Sequence, residues 1–183
     1  MSAADVDAAA RRAARGDGDA FAAVCRALQG DVWRYCHALT GDRELAFEAA
    51  QETFLRAVTA IRRFRGDGPV RVWFLVLARR AVAEVLRRER RAPLPTPEGA
   101  APEHHVPDAT GRIAVEELVM QLPPDLRQAF VLTQLLGLSY EDAARVADCP
   151  VGTIRSRVYR SRSRLIDALS PRTEEETDVR TTR

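Results

Sequence analysis

Hydrophobic residues recur along this chain with the spacing of amphipathic helices, and no stretch shows the sustained alternation expected of a strand. Four periodic segments precede a proline-rich stretch, at roughly residues 6–15, 19–40, 43–63 and 70–91. Further helical patterns follow it, at 111–121 and 124–136 and then from 138 onward. The pattern predicts an all-α protein with two small helical domains.

A proline-rich segment separates the two predicted domains. Residues 92–111 carry five prolines and two glycines and have no apolar period, which favours a mobile linker. We therefore expect a first domain at 1–91, a linker at 92–110, a second domain at 111–170 and a polar tail at 171–183. His104 and His105 fall in the linker, where solvated side chains are the simplest interpretation.

The second domain ends in a predicted helix-turn-helix. Ser139 followed by Asp142 has the form of a capping box and predicts a helix start. Asp148 tolerates the left-handed backbone that such a turn needs, and Pro150 suits the first turn of the next helix. In a helix-turn-helix, the second helix enters the major groove and its outward side chains reach base edges.

The second helix of this unit has an apolar side and a basic side. On a helical wheel its core side comprises Val151, Ile154, Val158, Ser161 and Leu165. Its outward residues are Gly152, Ser156, Tyr159, Arg160 and Ser163, flanked by Arg155, Arg157, Arg162 and Arg164. No acidic residue neutralises these arginines, and a solvated basic helix is the alternative. The candidate DNA contacts are Thr153, Arg155, Ser156, Arg157, Tyr159, Arg160 and Arg164.

A second concentration of positive charge lies before the linker. The chain contains no lysine, so all 28 basic residues are arginine. Residues 71–91 hold seven arginines against two glutamates, a local charge of +5 within a net charge of +2. Such a block on a helix indicates a surface for nucleic acid.

The helix at 70–91 combines this charge with an aromatic side chain. The wheel places Trp73 on the same side as Arg80, Glu84, Arg87 and Arg88. An aromatic ring among arginines can stack on an unpaired base. The alternative is that Trp73 packs under the preceding loop, and the sequence leaves both open.

The helix at 43–63 divides into an apolar and a polar face on the wheel. The predicted core stripe is Phe47, Ala50, Phe54, Ala57, Val58 and Ile61. The other face comprises Leu45, Glu48, Ala49, Glu52, Arg56 and Thr59, with Gln51 at its border. A polar helix face is either a solvated surface or a site for a protein partner.

Several function classes lack any support in the sequence. Three scattered cysteines suggest reduced thiols rather than a disulfide scaffold or a zinc site, so no metal is expected. No catalytic or phosphate-binding motif is present, so we expect neither an enzyme nor a cofactor. No apolar run is long enough to span a bilayer, so we expect no membrane insertion and a cytoplasmic location.

Three separated motifs resemble those of the extracytoplasmic-function sigma factors, the smallest form of the bacterial sigma subunit. They are QETFLRA at 51–57, FRGDGPVRVWFLVLARRAV at 64–82, and LPPDLRQAFVLTQLLGLSYEDAA at 122–144 continuing into CPVGTIRSRVYRSR. The resemblance covers nearly the whole chain. It implies a first domain that binds core RNA polymerase and the minus-ten promoter element, and a second that binds the minus-thirty-five element. An anti-sigma factor is a further implied partner.

The resemblance also implies roles for individual residues. The polymerase contacts would be Glu48, Gln51 and Glu52, although Ala49 stands where the family often has Leu. A flipped minus-ten base would lie against the loop 65–71, and Arg80 stands where many members have Asn. The minus-ten candidates, including Trp73 from the wheel, are Arg65, Gly66, Asp67, Arg71, Trp73, Arg80, Glu84, Arg87 and Arg88. The family's minus-thirty-five contacts would fall on Arg155, Ser156, Tyr159 and Arg160.

The resemblance favours a sigma factor that directs RNA polymerase to promoter DNA and aids its melting. The alternative is a stand-alone helix-turn-helix regulator whose first domain senses a ligand or dimerises. Such a regulator has no need of a polymerase-binding face on the helix at 43–63, so that helix distinguishes the two hypotheses.

Overall fold

The computed structural model describes residues 1–91 and 117–169, and all regular structure within those ranges is helical. The all-α prediction is therefore confirmed. The expected linker at 92–110 and the polar tail at 171–183 lie outside the described residues, as does most of the helix expected at 111–121.

The described helices follow the predicted segments closely. Those before the linker are α1 (Ala3–Ala14), α2 (Gly18–Thr40), α3 (Arg43–Ala60), which continues into a 3-10 turn (Ile61–Arg63), and α4 (Val70–Glu89). After it, residues 117–120 are helical. The remaining elements are α5 (Pro124–Phe130), which continues into a π-helical turn (Val131–Leu135), α6 (Tyr140–Ala147) and α7 (Val151–Leu169).

Capping residues explain why the helices begin and end where they do. Asp17 and Asp42 accept hydrogen bonds from backbone N–H groups in the first turns of α2 and α3, at 2.9 and 2.8 Å. Ser139 does the same for α6 at 3.0 Å. Gly41 ends α2 with φ 73°, and Asp148 ends α6 with φ 56°. The left-handed conformation expected at Asp148 is confirmed.

The first four helices form a bundle in which α2 and α4 pack against α3 and each other. Tyr35, Phe74 and Leu75 are fully buried at its centre. A side-chain hydrogen bond ties α1 to the start of α4, because the Asp7 carboxylate accepts from the Val70 N–H at 2.7 Å. This bond occupies one of the N–H groups that a helix start leaves without an intrahelical partner.

The predicted core face of α3 is partly wrong. Ala50, Ala57 and Ile61 are buried as expected, and Phe54 packs against the core. The buried residues of α3 are small: Ala46, Ala49, Ala50, Thr53 and Ala57. Phe47 and Val58, expected in the core, are 59% and 56% exposed, whereas Ala49, expected on the outer face, is fully buried. Small side chains bring α3 close to α2 and α4, and Phe47, Leu55 and Val58 are left outside.

The helices after the linker pack into a second group. Leu132, Ile154 and Val158 are almost fully buried where α5 and the π-helical turn meet α7. Ser161 is also buried, and its hydroxyl donates to the Val158 carbonyl at 2.8 Å. The predicted inward face of α7 is thus confirmed.

The two groups of helices pack against each other. Helix α6 lies on α4, and α5 lies on α2. Gln128 donates a hydrogen bond to the Tyr35 hydroxyl at 2.8 Å, and Arg79 pairs with Asp148 at 3.0 Å. Burial raises the pKa of the Tyr35 phenol. Buried residues of both groups form one continuous cluster.

Candidate nucleic-acid interface

The loop between the 3-10 turn and α4 forms the wall of a cavity of about 370 Å³. Gly66 takes φ 78° in this loop, a conformation that favours glycine. The predicted residues Arg65, Gly66, Asp67 and Trp73 all line this cavity, together with Phe64. Its size lies within the roughly 300–1,000 Å³ range of small-ligand pockets. The structure therefore brings these four minus-ten candidates together.

Trp73 belongs both to the cavity wall and to an aromatic row. Its ring meets Phe64 edge-on at 5.7 Å between centroids and Phe74 at 5.2 Å. Phe74 in turn meets Phe54 of α3 at 5.6 Å. The indole is half-buried against the core. It packs beneath the loop, as one alternative expected, and still borders the cavity that a base would enter.

The other predicted minus-ten residues divide into two sets. Arg80 and Arg87 are exposed on α4. Arg71 turns toward α2, where its Nε lies 2.6 Å from the Asp31 carboxylate. Arg71 is thus held by an ion pair, while Arg80 and Arg87 present their charge to solvent.

Ion pairs link the polar face of α3 to the basic face of α4. Glu48 pairs with Arg88 at 2.8 Å. Arg56 pairs with Glu52 at 2.8 Å and also with Glu84. The hydrogen bond from Arg56 lowers the pKa of Glu84. The predicted polymerase contacts Glu48 and Glu52 and the predicted minus-ten residues Glu84 and Arg88 therefore form one connected surface.

An apolar groove between α2 and α3 was not anticipated from the sequence. Its volume is about 460 Å³, and it is lined by Phe21, Cys25, Gln51, Phe54, Leu55 and Val58. Leu55 is 65% exposed, one of the most exposed large apolar side chains described. Contiguous exposed apolar surface marks sites of protein interaction. Of the predicted polymerase contacts, Gln51 lies in this groove.

The sequence does contain a signal for this groove. Phe47, Gln51, Leu55 and Val58 follow one another at intervals of four, four and three, which places them on one face of a helix. The alanines of α3 supply a second apolar face. A helical wheel that treats alanine and phenylalanine as equally hydrophobic shows these two apolar faces as one.

Most residues of α7 that were predicted to contact DNA are exposed. Arg155, Ser156 and Arg160 are exposed, and Tyr159 is 73% exposed. Thr153 is half-buried at the start of the helix. An α-helix of this kind fits the major groove, where arginine can bind guanine through two hydrogen bonds.

The flanking arginines of α7 differ from one another. Arg164 is exposed, whereas the side chain of Arg157 is 18% exposed and pairs with Asp125 of α5 at 2.7 Å. Arg162 donates to the Gln134 side chain at 2.6 Å. Arg157 and Arg162 therefore attach α7 to the rest of its group, and Arg164 presents its charge to solvent.

Other kinds of site find no support in the described ranges. Within residues 1–91 and 117–169, no cluster of His, Cys, Asp and Glu is arranged to hold a metal ion. Burial raises the pKa of the Cys36 thiol to about 12. Among the helices that the structure describes, none is both long and apolar enough to cross a membrane.

Comparison with known proteins covers both groups of helices. Residues 24–92 match the family model for sigma-70 region 2, and residues 112–165 match that for sigma-70 region 4. The chain is 45% identical over 172 residues to the ECF RNA polymerase sigma factor SigC of Mycobacterium tuberculosis, covering 91% of this chain and 92% of that protein. It is 36% identical over 180 residues to the RNA polymerase sigma-H factor of Pseudomonas aeruginosa, covering 87% and 91%.

Solved structures agree on the fold. CnrH, solved in complex with the cytosolic domain of CnrY, superposes with a TM-score of 0.69 at 22% identity, covering 91% of this chain and 99% of that one. The sigma factor RpoE of Bartonella quintana, solved with the anti-sigma factor NepR, superposes with a TM-score of 0.66 at 23% identity. This match covers 81% of this chain and 96% of that one.

These matches decide between the two hypotheses drawn from the sequence. A stand-alone regulator would share the helix-turn-helix alone, whereas here the helices before the linker match sigma-70 region 2 as well. The match of both regions, in the order found in relatives aligned over nine-tenths of their length, means that this chain belongs to the ECF family of RNA polymerase sigma factors and directs the polymerase to promoters.

Proposed function

We propose that the α2–α3 groove docks core RNA polymerase, that the loop cavity receives a minus-ten base, and that α7 binds the minus-thirty-five element. The main support for assigning the groove and the cavity to neighbouring sites is the aromatic row. Phe54 borders the groove, while Phe64 and Trp73 border the cavity, so one packed unit supports both sites. Binding promoter DNA would place the protein in the cytoplasm.

The groove suits a protein partner because it combines apolar side chains with a charged rim. Leu55 and Val58 are exposed, and Gln51 lies beside them. The ion-paired carboxylates of Glu48 and Glu52 lie on the same helix, one turn or less from Gln51. Central apolar contacts surrounded by polar groups are the usual organisation of a protein interface.

The cavity suits a flipped base because it joins an aromatic wall to a positively charged approach. Trp73 and Phe64 supply apolar surface, and Arg65 lies at the cavity while Arg80 lies exposed farther along α4. Extracting a base from the stack costs a few kcal/mol. Stacking on aromatic side chains contributes about 1–3 kcal/mol per base and offsets that cost.

An anti-sigma factor is a further proposed partner. The sigma factor RpoE, which has a similar fold, was solved with the anti-sigma factor NepR, and CnrH was solved with the cytosolic domain of CnrY. The exposed apolar groove of this chain offers a surface on which such a partner could dock. Co-purification of the tagged protein with and without core polymerase tests the proposal, because an anti-sigma factor would be found only in the polymerase-free fraction.

Promoter opening should depend on the cavity and on α4. We expect Arg80→Ala and Trp73→Ala to reduce thymine reactivity to permanganate in the promoter bubble, since one removes charge and the other stacking surface. Recruitment of the polymerase to the duplex should change less. Arg26→Ala, at an exposed position on α2, is the matched control. Normal thymine reactivity in both test variants would contradict the assignment.

The arginines of α7 should differ in what they recognise. We expect Arg160→Ala to cost about 1–3 kcal/mol of binding and to relax preference at one position of the minus-thirty-five element. Arg164→Ala should weaken binding to all sequences alike and lower the salt dependence of binding by about one counterion. Affinities for single-base variants of the element, measured at two salt concentrations, distinguish these effects. If Arg160→Ala lowered the affinity for every variant equally, Arg160 would not be a residue that reads a base.

A further inference from the structure

Helix α4 carries one acidic residue in the middle of its basic face. Glu84 is the only acidic residue between Arg71 and Arg88. It lies one turn from Arg80 and one turn from Arg88, so these side chains share a face of the helix. A bare carboxylate at this place would repel the phosphates of DNA. Glu84 therefore needs a partner that offsets its charge, a donor on the DNA that it can bind, or both.

Arg56 of α3 holds this carboxylate from the neighbouring helix. Its NH1 atom donates to one oxygen of Glu84 at 3.1 Å, and its NH2 atom donates to the other oxygen. Its Nε donates to Glu52 at 2.8 Å, so the guanidinium is anchored on two sides. Two parallel hydrogen bonds between planar groups fix the orientation of a carboxylate, and a lysine cannot reproduce them.

The clamped carboxylate keeps the capacity to accept further hydrogen bonds. Each of its oxygens has two lone pairs, and the paired bonds from Arg56 use one on each oxygen. The Glu84 side chain is 45% exposed, so DNA can reach it. The hydrogen bond from Arg56 lowers the pKa of Glu84, so the carboxylate stays ionised at neutral pH and only accepts.

The base that suits such an acceptor is cytosine. In the major groove cytosine presents its N4 amino group as a donor, which a glutamate accepts. Adenine also presents an amino group, but its N7 acceptor lies beside that group and would face the second carboxylate oxygen. Thymine presents a carbonyl oxygen at the same place and would repel the carboxylate.

We propose that Arg56 is a positioning residue for promoter recognition, which clamps the Glu84 carboxylate so that it accepts a hydrogen bond from the N4 amino group of one cytosine in the minus-ten element. The inference rests on the minus-ten role proposed above for α4. Arg56 acts through Glu84 and does not touch the base. Its guanidinium also offsets the carboxylate charge beside the phosphates.

The test measures base preference by the holoenzyme. Core polymerase is assembled with each variant and bound to forked fragments of a promoter that the holoenzyme transcribes. Each minus-ten position of the non-template strand carries cytosine or uracil in turn. Uracil has a carbonyl oxygen where cytosine has the amino group, and it lacks the methyl group of thymine. The ratio of the two affinities is independent of how well a variant folds or binds the polymerase, because the same holoenzyme binds both fragments.

We expect the wild-type holoenzyme to prefer cytosine roughly tenfold at one position, the discrimination typical of a specific base contact. Arg56→Ala should remove most of this preference, and so should Arg56→Lys, which keeps the charge but loses the paired hydrogen bonds. Glu84→Gln should remove it as well, and adding Arg56→Ala to Glu84→Gln should change the ratio no further. Arg34→Lys is the matched control, because Arg34 is an ion-paired arginine of α2 whose exchange should leave the ratio unchanged.

Two results would overturn the role of Arg56 itself. A cytosine preference that survives Arg56→Ala or Arg56→Lys would show that Glu84 needs no positioning. A preference that Arg56→Ala lowers further in the Glu84→Gln background would show that Arg56 contacts DNA directly.

Arg80→Ala separates failure of the clamp from failure of the minus-ten role. If Glu84→Gln alters no preference while Arg80→Ala weakens binding to the minus-ten element, the clamp is rejected and the minus-ten role of α4 stands. If neither change affects binding to that element, the minus-ten role of α4 is wrong, and the clamp is rejected with it.

Discussion

Replacing Leu55 with arginine is expected to abolish binding to core RNA polymerase and leave the fold intact. Leu55 is 65% exposed in the α2–α3 groove, so the new charge remains in water in the free protein. In the complex the guanidinium would be buried against an apolar partner. Central interface residues contribute about 2 kcal/mol or more, so we expect a loss of at least roughly thirtyfold in affinity.

A matched control introduces the same side chain outside the groove. Ala27 is exposed on α2, and its position lies about two hundred degrees around the helix from Cys25, which lines the groove. Ala27→Arg should bind the polymerase normally in a pull-down. Wild-type binding by Leu55→Arg, with an unchanged melting temperature, would show that the groove is not the docking site. Glu52→Arg is a less direct probe because Glu52 also holds Arg56.

Phe74→Ala is expected to cause a large loss of stability. Phe74 is fully buried and lies in the middle of the aromatic row, between Phe54 and Trp73. Truncating a buried phenylalanine costs about 3–5 kcal/mol of unfolding free energy. For a chain of this size the melting temperature should fall by roughly 10 °C.

Phe47→Ala is the control for this prediction, because it removes the same atoms from a side chain that is 59% exposed on α3. Its unfolding free energy should change by about 0.5 kcal/mol or less. Urea unfolding measures both variants. Equal losses at the two positions would mean that the row is not the centre of the bundle.

Local signals allowed accurate prediction of most helix ends. Ser139 forms the capping hydrogen bond that its position predicted, and Asp148 ends its helix in the expected left-handed conformation. Asp17, Asp42 and Gly41 are local signals of the same kind at the ends of α2 and α3. These effects act over three or four residues, so they are visible in the sequence. The inward phase of α7 was also predictable, since Ile154 and Val158 recur with Val151 and Leu165 at helical spacing.

The rest depends on contacts that no local pattern encodes. Phe47, Val58 and Ala49 were placed on the wrong faces of α3. The orientation of this helix is fixed by close packing of small residues against two neighbouring helices. The contact between the domains joins Arg79 to Asp148 and Tyr35 to Gln128, pairs separated by 69 and 93 residues. Arg157 was predicted to contact DNA, which stays a prediction. Its pairing with Asp125 could not be foreseen because it depends on where α5 lies.

The alanine-lined side of α3 reverses the usual relation between residue size and evolutionary constraint. Ala46, Ala49 and Ala57 are fully buried, so we expect larger side chains at these positions to overpack the core and destabilise the fold. Phe47, Leu55 and Val58 are more than half exposed, so we expect substitutions there to change stability little and to act on the proposed docking surface instead. A lineage can therefore alter what this helix recognises by changing its bulky residues alone, while the small ones preserve the scaffold.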